Sequence, residues 1–233
     1  MFSLMLLNGG IGSRVGAKMP KQLIRLNQIP MFIYTLRVAD QISSISEIVL
    51  NYPEGWEGQI REIAQKYAIQ TPLKFVPAGK TRQESVALML KEISTPNVLV
   101  HEAARPLASV EDFTALINHP GDNVGLTLPV PFTVLVCDPE SDENKISGLL
   151  DRDTLLNIQL PQKFKTSDLQ KAHDLAQENN KTYTEDAAMV FAAGLEVFFE
   201  NGSEKNFKIT TLQDVRMAEF VTHGIKEVVS DEQ

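Results

Sequence analysis

The chain has 233 residues, 43% of them hydrophobic, and a formal net charge of −8. That length suits one large α/β domain with a buried core, and the acidic balance argues against a nucleic-acid-binding surface. No apolar run approaches the roughly 20 residues that cross a bilayer. The start lacks the basic flank and cleavage site of a secretory signal, and the single cysteine, Cys137, fits a reducing cytoplasm.

Taken in order, apolar strands are expected at residues 3–7, 46–51, 73–76 and 97–101, and helices at about 31–42, 54–68, 82–93 and 109–118. Pro30 stands where a first helical turn tolerates it. Ser109 with Asp112 reads as a capping box with Asp in place of Glu. Strand–helix alternation, with strands apolar on both faces, indicates a mostly parallel, doubly wound sheet with ligands at the carboxyl ends of its strands. Residues 125–131 read as a strand leading away from the core. Val134-Leu135-Val136, a polar turn from Asp138 to Asn144, and Lys145 to Leu150 then form a hairpin. The polar tail from Ile225 to Gln233 is expected to fray.

The densest chemistry lies after the first strand, in Gly9-Gly10-Ile11-Gly12-Ser13-Arg14 and Pro20-Lys21-Gln22. Glycines there let backbone N–H groups wrap a bulky anion, and Arg14 and Lys21 add fixed positive charge suited to a triphosphate. The spacing Gly10, Gly12, Gly16 is one residue too long for a dinucleotide fingerprint, and Gly16-Ala17-Lys18-Met19 is not a Walker loop. Lys18 reads as a solvated charge. His101, His119, His173 and His223 have no metal-ligand spacing and read as structural.

The motif G-G-x-G-x-R followed by P-K-Q resembles the signature of nucleotidyltransferases, and above all the polyol-phosphate cytidylyltransferases. Methylerythritol 4-phosphate cytidylyltransferases are the nearest match and ribitol-5-phosphate cytidylyltransferases are similar. The resemblance continues at Gly79-Lys80-Thr81-Arg82-Gln83-Glu84-Ser85-Val86, His101-Glu102-Ala103-Ala104-Arg105-Pro106, Asp151-Arg152, Pro161-Gln162, Thr184-Glu185-Asp186-Ala187 and Phe207-Lys208-Ile209-Thr210. It spans nearly the whole chain in the family's order. Each of these motifs is expected to begin at a strand's carboxyl end.

The resemblance implies a three-layer, Rossmann-like α/β fold, with residues 1–233 as a single nucleotidyltransferase domain. It implies a β-arm at 132–158 that pairs two copies into a homodimer. By position it gives catalytic roles to Arg14, Lys21, Arg152 and Lys208. Contact with CTP falls to Asn8, Gly9, Gly10, Gly12, Arg14, Lys21, Gly79, Arg82, Ser85, Glu102 and Lys208, with Gly79, Arg82 and Ser85 in the segment that reads cytosine. The polyol phosphate falls to Arg105, Thr133, Arg152 and Thr184, with Arg152 presented to the neighbouring subunit. Lys208 is placed after a strand at Asn206-Phe207. Mg²⁺ is expected on triphosphate oxygens, with Glu102 as the candidate carboxylate.

This chain departs from the family pattern at several positions. Glu102 replaces an Asp, Phe132 an Asp beside Thr133, Leu160 a Thr before Pro161-Gln162, and Lys80 an acid after Gly79. The triphosphate half is intact, while the acceptor half loses an acid and a hydroxyl. The expected reaction is CTP plus a polyol phosphate giving a diphosphocytidyl polyol and pyrophosphate, as a cytoplasmic step of isoprenoid biosynthesis. The substrate phosphate is already an anion, so the barrier is charge and alignment rather than deprotonation. Ribitol phosphate is the alternative acceptor. A catalytically silent nucleotide-binding regulator is the reading of a different class.

Overall fold

The computed structural model describes residues 1–10, 19–138 and 145–223. Gly12, Arg14, Gly16 and Lys18, most of the polar turn after Asp138, and the tail from Ile225 lie outside the described residues.

Chain order runs β1 (Phe2–Leu7), a 3₁₀ turn (Lys21–Leu23), β2 (Arg25–Leu26), β3 (Ile29–Pro30), α1 (Met31–Asp40), β4 (Ile45–Tyr52), α2 (Glu57–Lys66), β5 (Leu73–Pro77), α3 (Arg82–Leu90), β6 (Asn97–Glu102) and α4 (Val110–Asn118). There follow β7 (Val124–Pro129), β8 (Val134–Cys137), β9 (Ile146–Leu150), a 3₁₀ turn (Arg152–Thr154), β10 (Leu156–Lys165), α5 (Thr166–Glu178), α6 (Asp186–Ala192), β11 (Phe198–Asn201) and α7 (Leu212–His223). The eight expected elements before residue 120 are all present. The capping box on α4 forms, with Ser109 N–H donating to Asp112 Oδ2 at 2.8 Å and Asp112 N–H to Ser109 Oγ at 3.2 Å.

Seven strands make one sheet in the order β11-β7-β10-β6-β1-β4-β5. β1 is parallel to β4 and β6, β4 to β5, and β7 to β11, while β10 runs antiparallel to both β6 and β7. Strand alternation builds two cores. Leu4, Leu6, Ile48, Leu50 and Leu99 face Phe32, Leu36, Ile60, Phe113 and Leu116 from α1, α2 and α4. Met5, Val49, Val98 and Val100 face Val86, Met89, Leu169 and Val190 from α3, α5 and α6. Strands buried on both faces therefore lie between helical layers, as the apolar runs required. A smaller core joins Leu26 and Met31 to Ile209 and Ala218.

Several expectations are corrected. β7 does not leave the core but sits between β10 and β11. Asn206-Phe207 is not a strand. Asn206 is instead fully buried with Nδ2 donating to Leu160 O at 2.6 Å, so its local order comes from a side chain rather than a ladder. The hairpin β8–β9 forms as expected in its own two-stranded sheet. The last arm positions, 156–158, already pair with Pro129, Leu128 and Thr127 in the central sheet. Pro161-Gln162 lies inside β10, Asp151-Arg152 lies on the arm, and Thr184-Glu185-Asp186-Ala187 joins α5 to α6, so none of the three begins at a carboxyl end of the parallel strands.

Candidate active site

The chain leaves β1 for β4 and β5 on one side and returns through β6 on the other. The carboxyl ends of β1 and β6 therefore flank a point where strand order reverses, the place where open α/β sheets hold ligands. A cleft of about 530 Å³ opens there, lined by the β1 loop, the β5–α3 loop, the end of β6 and the segment carrying Lys208 and Thr210.

Its floor depends on a close approach of backbones. A Cβ on Gly9 would stand 2.5 Å from Ala78 Cβ and 3.0 Å from Asn51 Nδ2. Asn8, 1% exposed, donates its N–H to Asn51 Oδ1 at 2.5 Å, and its carbonyl accepts from Gln22 Nε2. The Pro20-Lys21-Gln22 turn thus sends Gln22 inward to tie the glycine loop. Lys21 meanwhile lines the cleft, with Nζ donating to Ile209 O at 2.5 Å. Across the cleft, Thr81 caps α3. The Ser85 hydroxyl donates to Thr81 O at 2.9 Å and accepts from Gly79 N–H at 3.0 Å.

The back wall is a chain of charges. Asp186, 1% exposed, receives Arg82 Nη2 at 2.7 Å. Arg82 Nε reaches Glu102 Oε1 at 3.2 Å, and Glu102 Oε2 receives Lys208 Nζ at 2.5 Å. Burial opposes the Arg82 charge, but Asp186 first, then Glu185 and Glu102, raise its pKa above the ordinary arginine value. Burial likewise opposes the Glu102 charge, and Lys208 and Arg82 outweigh it, so its pKa falls below the usual carboxylate value. Glu185, held by Gln162 Nε2 at 3.1 Å, is pushed up, chiefly by burial. Beneath the wall His101 is fully buried, its Nε2 is 2.9 Å from Arg105 O, and burial lowers its pKa to about 4. It is a neutral packing residue.

Of the expected site residues, Gly9, Gly10, Lys21, Gly79, Arg82, Ser85, Glu102 and Lys208 share this cleft. Asn8 lies under it. Arg105 is half-buried, with Nη1 donating to Asn206 O at 2.7 Å. Thr133 and Thr184 are exposed outside the cleft. Arg152 stands on the arm, Nη1 3.3 Å from Pro131 O and Nε 3.7 Å from Asp153 Oδ1. Gln22 and Asp186 stand in motifs quoted above without a role of their own, and Asn51 was missed. A polar side chain after the apolar run Ile48-Val49-Leu50 was the one available signal for Asn51.

Both Glu102 oxygens face cations, and the other two carboxylates of the wall serve Arg82. Among the described residues no group of three His, Cys, Asp or Glu could hold a metal ion. Each Glu102 oxygen is thus already paired with a cation, and no cluster among the described residues would enclose a metal ion by itself.

An open, mostly parallel sheet with a glycine-floored, lysine-lined cleft at its switch point defines a phosphate-handling α/β protein of the nucleotidyltransferase kind. The chain belongs to the IspD family, 2-C-methyl-D-erythritol 4-phosphate cytidylyltransferase, whose model matches residues 3–223. The chloroplastic 2-C-methyl-D-erythritol 4-phosphate cytidylyltransferase of Oryza sativa subsp. japonica is 34% identical, over 93% of this chain and 73% of that one. The enzyme of the same name from Nostoc punctiforme is 33% identical over 95% and 99%. The crystal structure of 2-C-methyl-D-erythritol 4-phosphate cytidylyltransferase from Thermus thermophilus superposes with a TM-score of 0.77 at 27% identity, covering 96% of this chain and all of that one.

Proposed function

We infer that this protein transfers CMP from CTP to 2-C-methyl-D-erythritol 4-phosphate, forming 4-diphosphocytidyl-2-C-methyl-D-erythritol and releasing pyrophosphate. One observation carries the reading furthest. Lys21 and Lys208, 187 positions apart in sequence, line one cleft over a glycine floor. An oxygen of the acceptor phosphate attacks the α-phosphorus of CTP and the bond to the β-phosphate oxygen breaks. No proton need be removed, so two cations that neutralise the approach of two anions supply what the reaction lacks. Magnesium, in this reading, enters on the triphosphate oxygens rather than on Glu102. Arg105 and Thr184 hold the acceptor together with Thr133 and Arg152 from a second copy's arm. A hairpin exposing Leu135 at 51%, Ile146 at 61% and Leu149 at 69% supports that pairing, since an isolated two-stranded hairpin is marginal in water. The free, exposed Cys137 is in keeping with a reducing, cytoplasmic setting.

Two departures bear on the acceptor. Leu160 is 1% exposed and packs in the β10 core, so its lost hydroxyl removes nothing from the cleft. Phe132, 78% exposed at the arm's root, remains a substantive change and keeps ribitol 5-phosphate as the second acceptor to test. Pyrophosphate release from CTP across a panel of polyol phosphates decides the matter. Turnover fastest with 2-C-methyl-D-erythritol 4-phosphate supports the reading and preference for ribitol 5-phosphate replaces the acceptor. No release with any member refutes catalysis and favours the silent nucleotide binder.

A further inference from the structure

Asn51, next to last in β4 after the apolar run Ile48-Val49-Leu50, is 1% exposed and lines the cleft beside Gly9 and Gly79. Its orientation is chemically fixed. The Asn8 backbone N–H can only donate, so the amide atom 2.5 Å from it is the oxygen. The NH₂ group is then the end left over. It lies 3.0 Å from where a Gly9 Cβ would stand, and no acceptor among the described residues engages it. A donor so placed on a ligand cleft has only water to bond until an acceptor binds there.

Ser85 has the opposite character. Its one proton goes to Thr81 O, and one lone pair takes the Gly79 N–H. Toward a ligand it is an acceptor only. β4 and β5 are hydrogen-bonded neighbours, with Asn51 opposite Val76, so the donor and the Gly79–Ser85 loop share one end of the cleft. Cytosine presents an amino donor beside two acceptors, N3 and O2. Uracil presents a carbonyl beside an N3–H donor. With the Ser85 oxygen toward the C4 substituent and the Asn51 NH₂ toward N3, the pair matches the first pattern and opposes the second, which would set acceptor against carbonyl and donor against N3–H.

We propose that the Asn51 side-chain NH₂ is a base-reading donor which, with the Ser85 hydroxyl as acceptor, selects the cytosine ring of the nucleotide over uracil. This rests on the CTP reading above and adds the residue that sets its specificity.

Asn51→Asp is the informative substitution, because it keeps an oxygen for the Asn8 N–H while replacing the donor with an acceptor. Initial rates with CTP and UTP, and calorimetric binding of CMP and UMP, give the preference within one protein, so any partial loss of folded material cancels. The preference for cytosine is expected to fall about ten- to hundredfold, mainly through KM for CTP, since 1.4 kcal/mol corresponds to tenfold and a mismatched polar contact costs about 1–3 kcal/mol. Asn51→Leu should weaken CMP binding without recovering UMP. A cytosine preference within about twofold of the parent in Asn51→Asp, or equal losses for both bases, would mean that Asn51 only braces Asn8 and overturns the proposal. A parent protein that binds CMP no better than UMP and releases no pyrophosphate from CTP sinks the CTP reading itself, a distinct result.

Discussion

Asp186→Asn isolates what the buried end of the charge chain contributes. The substitution keeps size and one acceptor oxygen but removes the charge that meets Arg82 at 2.7 Å in a site 1% exposed. Removing one partner of a fully buried ion pair costs about 3–5 kcal/mol when the other charge is left alone. Arg82 is not left alone, because Glu102 at 3.2 Å and Glu185 at 3.8 Å still face it. The loss should therefore approach that of a single charge-assisted hydrogen bond, about 2–3 kcal/mol. In a chain of this size that is a fall in Tm of about 4–12 °C. Arg82 would also lean on Glu102 and disturb Lys208, so turnover should fall about tenfold, given how steeply rates respond to misplacement of about 1 Å. Glu57→Gln supplies the control. Its pair with Arg61 is about as short, 2.8 Å, but 45% and 42% exposed, so solvent screens it and the melting temperature should stay at the parent's. Differential scanning fluorimetry of both variants checks the argument. Asp186→Asn melting no lower than Glu57→Gln would refute the claim that burial gives the pair its weight.

Other consequences are as direct. Lys21→Ala should melt slightly below the parent, since it loses the bond to Ile209 O, but should lose about 10²–10³ in turnover, the usual cost of one transition-state donor, and near-parental kinetics with CTP would remove it from the site. Arg152→Lys should raise KM for the polyol phosphate far more than KM for CTP, because lysine cannot grip a phosphate through two parallel N–H bonds. Deleting residues 135–149 should give a monomer of little activity by sedimentation, and an active monomer would end the shared-site model. Stability should also fall in acid in two windows. Burial holds His101 neutral with a pKa of about 4, so stability is full above its unfolded value near 6.5 and is lost as pH falls toward 4. Burial opposes the Glu47 charge, yet Lys74, Ser3 and Ser94 outweigh it and lower its pKa to about 2, so that contribution is present above about 4.5 and lost below. Chemical denaturation from pH 7 to 3 should show the lower step vanish in Glu47→Gln.

The first half of the fold was legible because it obeys local rules. β1, β4, β5 and β6 are apolar on both faces, and the helices between them carry recognisable starts such as Ser109 with Asp112. β10 was opaque for the opposite reason. Its sequence, Leu-Asn-Ile-Gln-Leu-Pro-Gln-Lys-Phe-Lys, is polar at alternate sites and carries a proline that argues against a central strand. The ladder accommodates it with a register shift between Gln159 and Gln162, and the buried amides bond elsewhere, Gln159 to Ser203 O and Gln162 to Glu185. Those partners are 44 and 23 residues away, so no local pattern announces them. Much the same holds for the site. Glycine and lysine spacing reveals an anion loop, whereas Asn51 and Asp186 acquire meaning only when β4 and α6 are brought to it.

The cleft also explains how a protein of net charge −8 gathers cations at one point. The segment after β11 has no ladder to hold it, yet Ile209 N–H donates to Ala104 O at 2.8 Å, and Ile209 O accepts Lys21 Nζ. One residue's two backbone groups thereby stitch the end of the chain to both flanking loops and deliver Lys208 to Glu102. Glu102 in turn holds Arg82, which Asp186 anchors from below. A carboxylate between two cations suits this post, since it keeps them close before the triphosphate arrives and lessens their mutual repulsion. Its two oxygens bridge a guanidinium at 3.2 Å and an ammonium at 2.5 Å together. Lys208, 39% exposed, has one acid partner and faces solvent, while Arg82 is tied by two further acids and belongs to the wall. In the proposed reaction the solvent-facing cation would meet the phosphates and the fixed one would stand behind it, so the charge would be preorganised without the wall having to rearrange.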